Sequence, residues 1–155
     1  MQTNLIYKAM AAFWVILLFL PSIALSATAL EWVSYETGLK LGKEKGKKLL
    51  VVFFTDQCTY CYKMGNETFR DPAVMDYVKK NFIPVSVDAD QRQDVVKRFG
   101  VRGYPTTCFT ESSGKEIAGL PGFFGPQDML WILRYVSSDS YQSMSLKAFI
   151  QKDGD

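Results

Sequence analysis

Cys58 and Cys61, separated by Thr59-Tyr60, are the residues of this chain whose type and spacing could most directly do chemistry. Thr55-Asp56-Gln57 turns the chain just before them, and Cys58-Thr59-Tyr60-Cys61 is expected to open a helix. Residues three apart on a helix share a face, with side chains about 5–6 Å apart, so a disulfide can close there without unfolding anything. A helix N-terminus presents unpaired N–H groups and a partial positive charge, which favour thiolate over thiol. Cys58 should therefore have a lowered pKa: thiolates in C-x-x-C motifs fall between about 3.5 and 7.5, against roughly 8.5 for a free cysteine. Cys58 would attack, and Cys61, one turn deeper, would resolve the mixed disulfide. The same four residues also fit a plain stabilising disulfide or half of a zinc site, so their surroundings must decide.

Composition narrows the choice. The chain has no histidine, which removes His-based triads, His metal ligands and covalent haem attachment, since Tyr62 stands where C-x-x-C-H needs its histidine. Cys108 is the odd cysteine. A third redox thiol, or a zinc ligand beside Cys58 and Cys61, would be its sharper readings. A structural zinc site wants four ligands, and no further cysteine of suitable spacing exists, so Cys108 reads as a buried, inert small hydrophobe. No metal and no cofactor are expected.

The pair needs elements to hold it, and the apolar run Leu49–Phe54 that precedes it is the first. The run is too short for a membrane span and too continuous for a one-sided strand; it suits a strand covered on both faces, in the middle of a sheet. Before it, Trp32 lies in a short lead-in and a helix is expected from about Glu36 to Lys45. Lys40, Lys43, Lys45, Lys47 and Lys48 read as a solvated face, interrupted by Glu44, with a turn at Gly46. After the cysteines the helix should run to about Phe69. Asp71 then caps a new helix with Pro72 at its first position, and Val74, Val78 and Phe82 recur every four residues as a stripe against the sheet. Ile83–Asp88 alternates as a strand, with Val85 and Val87 on one face, and a helical turn follows around Asp94–Phe99. This β-α-β order points to an α/β fold.

Pro105 sits just before an expected strand, Thr106–Thr110, after a residue biased to extended geometry. Glu111–Lys115 makes a hairpin turn into a strand at Glu116–Leu120. Pro126 starts a helix in which Met129, Ile132, Leu133 and Val136 fall at core spacing. Ser137–Ser143 is polar, and Leu146, Phe149 and Ile150 could dock a short final helix.

Residues 1–26 read as a signal peptide. Lys8 is their only charged side chain, Ala9–Leu20 is an apolar run of 12 residues, and Ala24-Leu25-Ser26 offers a cleavage site. A span needs about 20 apolar residues, so cleavage after Ser26 and export to an oxidising compartment such as the periplasm are expected. An uncleaved N-terminal membrane anchor is the alternative. The remaining 129 residues make one domain. They hold 17 basic residues, the chain's 18 less Lys8, against 16 acidic, a balance that excludes a nucleic-acid footprint.

In the order and spacing of these features the chain resembles the thioredoxin superfamily. The apolar strand leading into Cys58-Thr59-Tyr60-Cys61, Gly100-Val101-Arg102-Gly103-Tyr104-Pro105-Thr106 and the later Gly122 carry the likeness over roughly residues 30–136. It implies a thioredoxin fold with a central mixed β-sheet flanked by helices, as a single domain over 27–136, with 137–155 a polar linker and short C-terminal helix. It further implies a cis Pro105 lying against the disulfide, a Tyr104 backbone that pairs with an extended substrate, and a docking surface to which Thr59 and Tyr60 contribute. Gly122 would let backbone approach the active-site loop closely. The phrases at residues 64–74 and 122–126 look most like exported reductase-type members, namely the C-terminal domain of the DsbD reductases and the SoxW-like periplasmic thioredoxins.

Departures accompany the matches. Thioredoxin's tryptophan before the first cysteine is Gln57, its Gly-Pro is Thr59-Tyr60, and its buried aspartate falls at Val52. Asp56, water or a substrate group would have to take the proton of the resolving thiol. The function expected is that of an exported thiol–disulfide oxidoreductase, a monomer reducing disulfides of other exported proteins and itself re-reduced by a membrane thiol donor. Neither the dimerisation domain of exported isomerases nor the helical insertion of dedicated oxidants is recognisable. An oxidant or isomerase using the same pair, and a non-enzymatic metal- or peptide-binding module, are the alternatives.

Overall fold

The architecture is that of a computed structural model in which residues 29–153 are described; the expected signal peptide, Met1–Ser26, lies outside them. β1 (Lys48–Phe54) is the strand on which the rest is assembled, and Leu49 through Phe53 are buried without a break. It pairs in parallel with β2 (Phe82–Asp88) and antiparallel with β3 (Thr106–Thr110), which pairs antiparallel with β4 (Glu116–Pro121), giving the order β2-β1-β3-β4. The parallel pair requires a crossover. It is made by α2 (Thr59–Lys63), a π-helical turn (Met64–Thr68) and α3 (Pro72–Asn81). The other helices are α1 (Tyr35–Lys45), α4 (Gln93–Arg98), α5 (Pro126–Ser137) and α6 (Leu146–Asp153).

The unbroken apolar run of β1 has a direct cause, because alternate residues feed two cores. Leu50 and Val52, with Phe109 of β3, meet Val74 and Val78 of α3 and Met129, Ile132, Leu133 and Val136 of α5. Leu49, Val51 and Phe53 point the other way, to Val85 and Val87 of β2, Cys108 of β3, Tyr35 of α1 and Val95 and Val96 of α4. The fold is therefore a mixed sheet with helices on both faces, in one domain.

Local signals place the helix ends. Ser34 caps α1 by accepting the Thr37 N–H, and Gly46 closes it in the left-handed region at φ 62°. The Asp71 carboxylate accepts the N–H groups of Ala73 and Val74, with Pro72 at the first position of α3. Pro84 lies on edge strand β2, where a missing N–H is tolerated. The lead-in covers that edge: the Val33 N–H donates to the Pro84 carbonyl, and the Ser86 N–H to the Val33 carbonyl.

The polar stretch after α5 is anchored. Asp139, in the left-handed region at φ 60°, pairs with Lys48 at 2.9 Å, and Tyr141 donates to Glu111. α6 buries Phe149 against Trp131 and Tyr135. Among the described residues no helix is long and apolar enough to cross a membrane.

Candidate active site

β1 ends at Phe54, the chain turns through Thr55–Gln57, and Cys58 becomes the N-cap of α2. A parallel strand that gives way to a helix at its carboxyl end leaves the helix N-terminus at the rim of the sheet, accessible from outside the core. Cys58 and Cys61 are joined there in a disulfide, with Cα atoms 5.2 Å apart. The Cys61 N–H donates to the Cys58 Sγ at 3.1 Å. The N-cap position thus gives this sulfur a backbone donor at the positive end of a helix, the arrangement that stabilises a thiolate.

The expected neighbours converge on the pair. The Tyr104–Pro105 bond is cis, and Pro105 and Cys61 line the same cavity. Gly122, in the left-handed region at φ 103°, donates its N–H to the Pro105 carbonyl at 2.8 Å, and Thr106 Oγ1 donates to the Gly103 carbonyl at 2.7 Å. Thr59 is exposed on the first turn of α2. Among the described residues, Tyr60 and Tyr62 are the exposed large apolar side chains, at 62% and 78%. Tyr60 approaches the Phe123 ring to 6.4 Å between centroids, with the Lys63 ammonium 4.9 Å from the same ring. Tyr104 departs from the group, because its ring packs on the core that holds α1 and α4.

The helix after the cysteines reaches Phe69 as expected, but from Met64 onward it is π-helical. The wider turn borders a cavity of about 470 Å³ lined by Trp32, Val52, Phe54, Cys61, Phe69 and Ser86 among others, with no Asp or Glu in the lining. Trp32 stands edge-on to Phe69, 5.0 Å between centroids. Trp32, expected only as part of a lead-in, is thus a wall of this cavity. Cys108 is remote in character from the pair: it is buried in the opposite core, where desolvation, reinforced by the Glu116 charge, pushes its thiol up to about 12.

Two sulfurs bonded to each other at a helix N-terminus and partly exposed can exchange a disulfide for two thiols. On this sheet order, that chemistry is the work of a thiol–disulfide oxidoreductase of the thioredoxin type. The chain belongs to the thioredoxin-like domain family, whose pattern matches residues 35–137. It is 33% identical over 93 residues to an uncharacterized protein of Archaeoglobus fulgidus, a match covering 56% of this chain and 72% of that one. It is likewise 33% identical over 82 residues to the thiol:disulfide interchange protein DsbD of Actinobacillus pleuropneumoniae, covering 50% of this chain but only 14% of that protein. Among solved structures, a thioredoxin from Thermus thermophilus superposes with a TM-score of 0.64 at 29% identity, over 70% of this chain and 88% of that one.

Proposed function

We propose that the protein is an exported, monomeric reductase of disulfides in other exported proteins, re-reduced by a membrane thiol donor. The placement of Cys58 as the N-cap of α2, bonded to the Cys61 that shares a cavity with Pro105, carries the reading. In it, the Cys58 thiolate attacks one sulfur of a substrate disulfide, forming a mixed disulfide and expelling the other sulfur as thiolate. Cys61, deprotonated, then attacks the Cys58 sulfur; the internal disulfide forms and the second substrate thiolate leaves. The protons of the two protein thiols end on the two substrate sulfurs, and the substrate gains the two electrons that the pair loses.

Tyr104 and Pro105 present the backbone edge along which the substrate lies, while Thr59 and Tyr60 flank it. Gly122 donates its N–H to the Pro105 carbonyl from the left-handed region at φ 103°, which favours glycine, while a Cβ built there would meet no atom within 4 Å. Reduction is supported by the likeness of residues 64–74 and 122–126 to exported reductase-type relatives, and export by the pattern of Met1–Ser26. The partnership with a membrane thiol donor draws on the similarity to DsbD. Residues 27–136 form the working domain, with 137–155 appended to it.

The test is a trap. A Cys61→Ser chain produced in a host that exports it should accumulate mixed disulfides with exported proteins, visible as reductant-sensitive high-mass bands, and Cys58→Ser should not. A Cys61→Ser protein that captures nothing would overturn the reading.

A further inference from the structure

Two buried side-chain polar atoms have no hydrogen-bond partner among the described residues, the hydroxyls of Tyr35 and Thr107. Tyr35 belongs to the core between the sheet, α1 and α4. Thr107 lies on the other face of the sheet, directly across from Val52 in the β1–β3 register, and is 0% exposed. An orphaned hydroxyl in an apolar core is a standing cost that native folds ordinarily avoid. Thr107 therefore calls for an occasion on which its hydroxyl is satisfied.

Its position supplies one. Val52, its register partner, lines the cavity that also reaches Cys61 and Pro105, and Thr107 follows Pro105 by two residues, as the second residue of β3. Thr107 is thus one register pair away from a residue of the wall that Cys61 also lines, behind that wall rather than part of it. With the disulfide closed, the Cys61 sulfur is bonded to Cys58 and makes no hydrogen bond with Thr107. Opening the disulfide frees that sulfur, and although Asn66, Arg70 and Ser86 also line the cavity, its thiolate form gains from a fixed donor on the Val52 side.

We propose that Thr107 is the internal hydrogen-bond donor to the Cys61 sulfur in the reduced protein, reaching it directly or across a single water, and that it thereby biases the pair toward the dithiol. The inference rests on the reading of Cys58 and Cys61 as a redox pair. The hydroxyl is unpaired in the disulfide form and paired in the dithiol form, so both states push in the same direction. It also gives the thiolate that attacks Cys58 a fixed donor where Val52 offers none.

The test compares Thr107→Val, which keeps the shape and removes the hydroxyl, with Thr107→Ser, which keeps the hydroxyl. The full chain is equilibrated in glutathione buffers near neutral pH, and the oxidised fraction is read by thiol trapping. T107V should shift the equilibrium toward the disulfide by about tenfold, a potential about 30 mV more negative, while T107S stays within about twofold of the parent. T107V should also melt no lower than the parent when oxidised, yet lower when reduced, a split that a merely structural role would not produce. An unchanged potential in T107V, or an equal shift in T107V and T107S, overturns the proposal. Should T107V not fold, Thr107→Ala is read by the same two criteria. A parent protein whose Cys58–Cys61 pair fails to equilibrate with glutathone-type thiols at all would remove the redox reading itself, an outcome distinct from a T107V that exchanges but does not shift.

Discussion

Gly38→Ala is a one-carbon perturbation whose outcome depends on how closely α1 is seated on the sheet. A Cβ built at Gly38 falls 2.3 Å from Val85 Cγ2 and 3.5 Å from Leu49 Cδ2. The first distance overlaps ordinary carbon contact by more than about 1 Å, given an optimum near 3.5–4.0 Å. Val85 has little room to yield: it is 0% exposed, bridged to Val33 on the edge of β2, and β-branched, with a stiff χ1. Against this, alanine in a helix interior gains about 1 kcal/mol over glycine. Overpacking a tight core costs typically about 1–3 kcal/mol, and the poor give of Val85 argues for the upper part of that range. The net expectation is a loss of about 1–2 kcal/mol. In urea, with a slope of about 1–3 kcal/mol per molar, the unfolding midpoint of the oxidised protein should fall by roughly 0.3–2 M. Gly42→Ala is the comparison, since its Cβ meets Leu49 Cδ1 at 2.5 Å, the far end of a longer side chain, and the Lys47 carbonyl at 3.1 Å. It should cost less. The double variant Gly38→Ala, Val85→Ala should lose less than the sum of its parts, because each change relieves the other. A Gly38→Ala midpoint equal to or above the parent's would refute the close seating of α1.

Two further expectations concern groups outside the redox pair. Cys108 is buried and its thiol is pushed up to about 12, so a thiol reagent at pH 8 should label no cysteine of the native oxidised protein and one after unfolding; native labelling would place Cys108 elsewhere. The Lys48 hydrogen bond, with help from Tyr141 and Gln142, holds the Asp139 carboxyl below its ordinary range. A carboxyl depressed in the folded state contributes its full stability above its unfolded pKa, about 3.9, and loses it as pH falls further. Below about pH 4, pepsin should therefore cut first around Phe149 of α6, and unchanged cleavage between pH 5 and pH 2.5 would show that the Asp139 clasp does not hold this segment.

What was legible in the sequence is what local pattern encodes. The length and continuity of Leu49–Phe54 implied a strand covered on both faces, and Leu49 through Phe53 are indeed buried between two cores. Asp71-Pro72 marked a capped helix start that the two Asp71 hydrogen bonds realise, and Met129, Ile132, Leu133 and Val136 line the inner face of α5. What was not legible depends on contacts between distant segments. The π-helical turn at Met64–Thr68 has no residue signature of its own, and it is tied down from outside by Thr68 Oγ1 donating to the Phe124 carbonyl at 2.6 Å. Val33 covers the β2 edge through a pairing some fifty residues away in sequence, which no local period announces. Alternation along Thr106–Thr110 could suggest which side Thr107 faces, but the lack of a partner for its hydroxyl is a property of the assembled core. Gly38 and Gly42 carry no signal of their own in the sequence of α1. Only Val85 and Leu49 across the interface explain them.

The equilibrium reduction potential of the Cys58–Cys61 pair, measured by thiol trapping in defined glutathione or dithiothreitol buffers, tests the proposed role most directly. Reference values run from about −270 mV for thioredoxin to about −120 mV for a strong oxidant. A reductase fed by a membrane thiol donor should lie near the thioredoxin end. A value near −120 mV would contradict that direction and make the protein an oxidant of exported thiols.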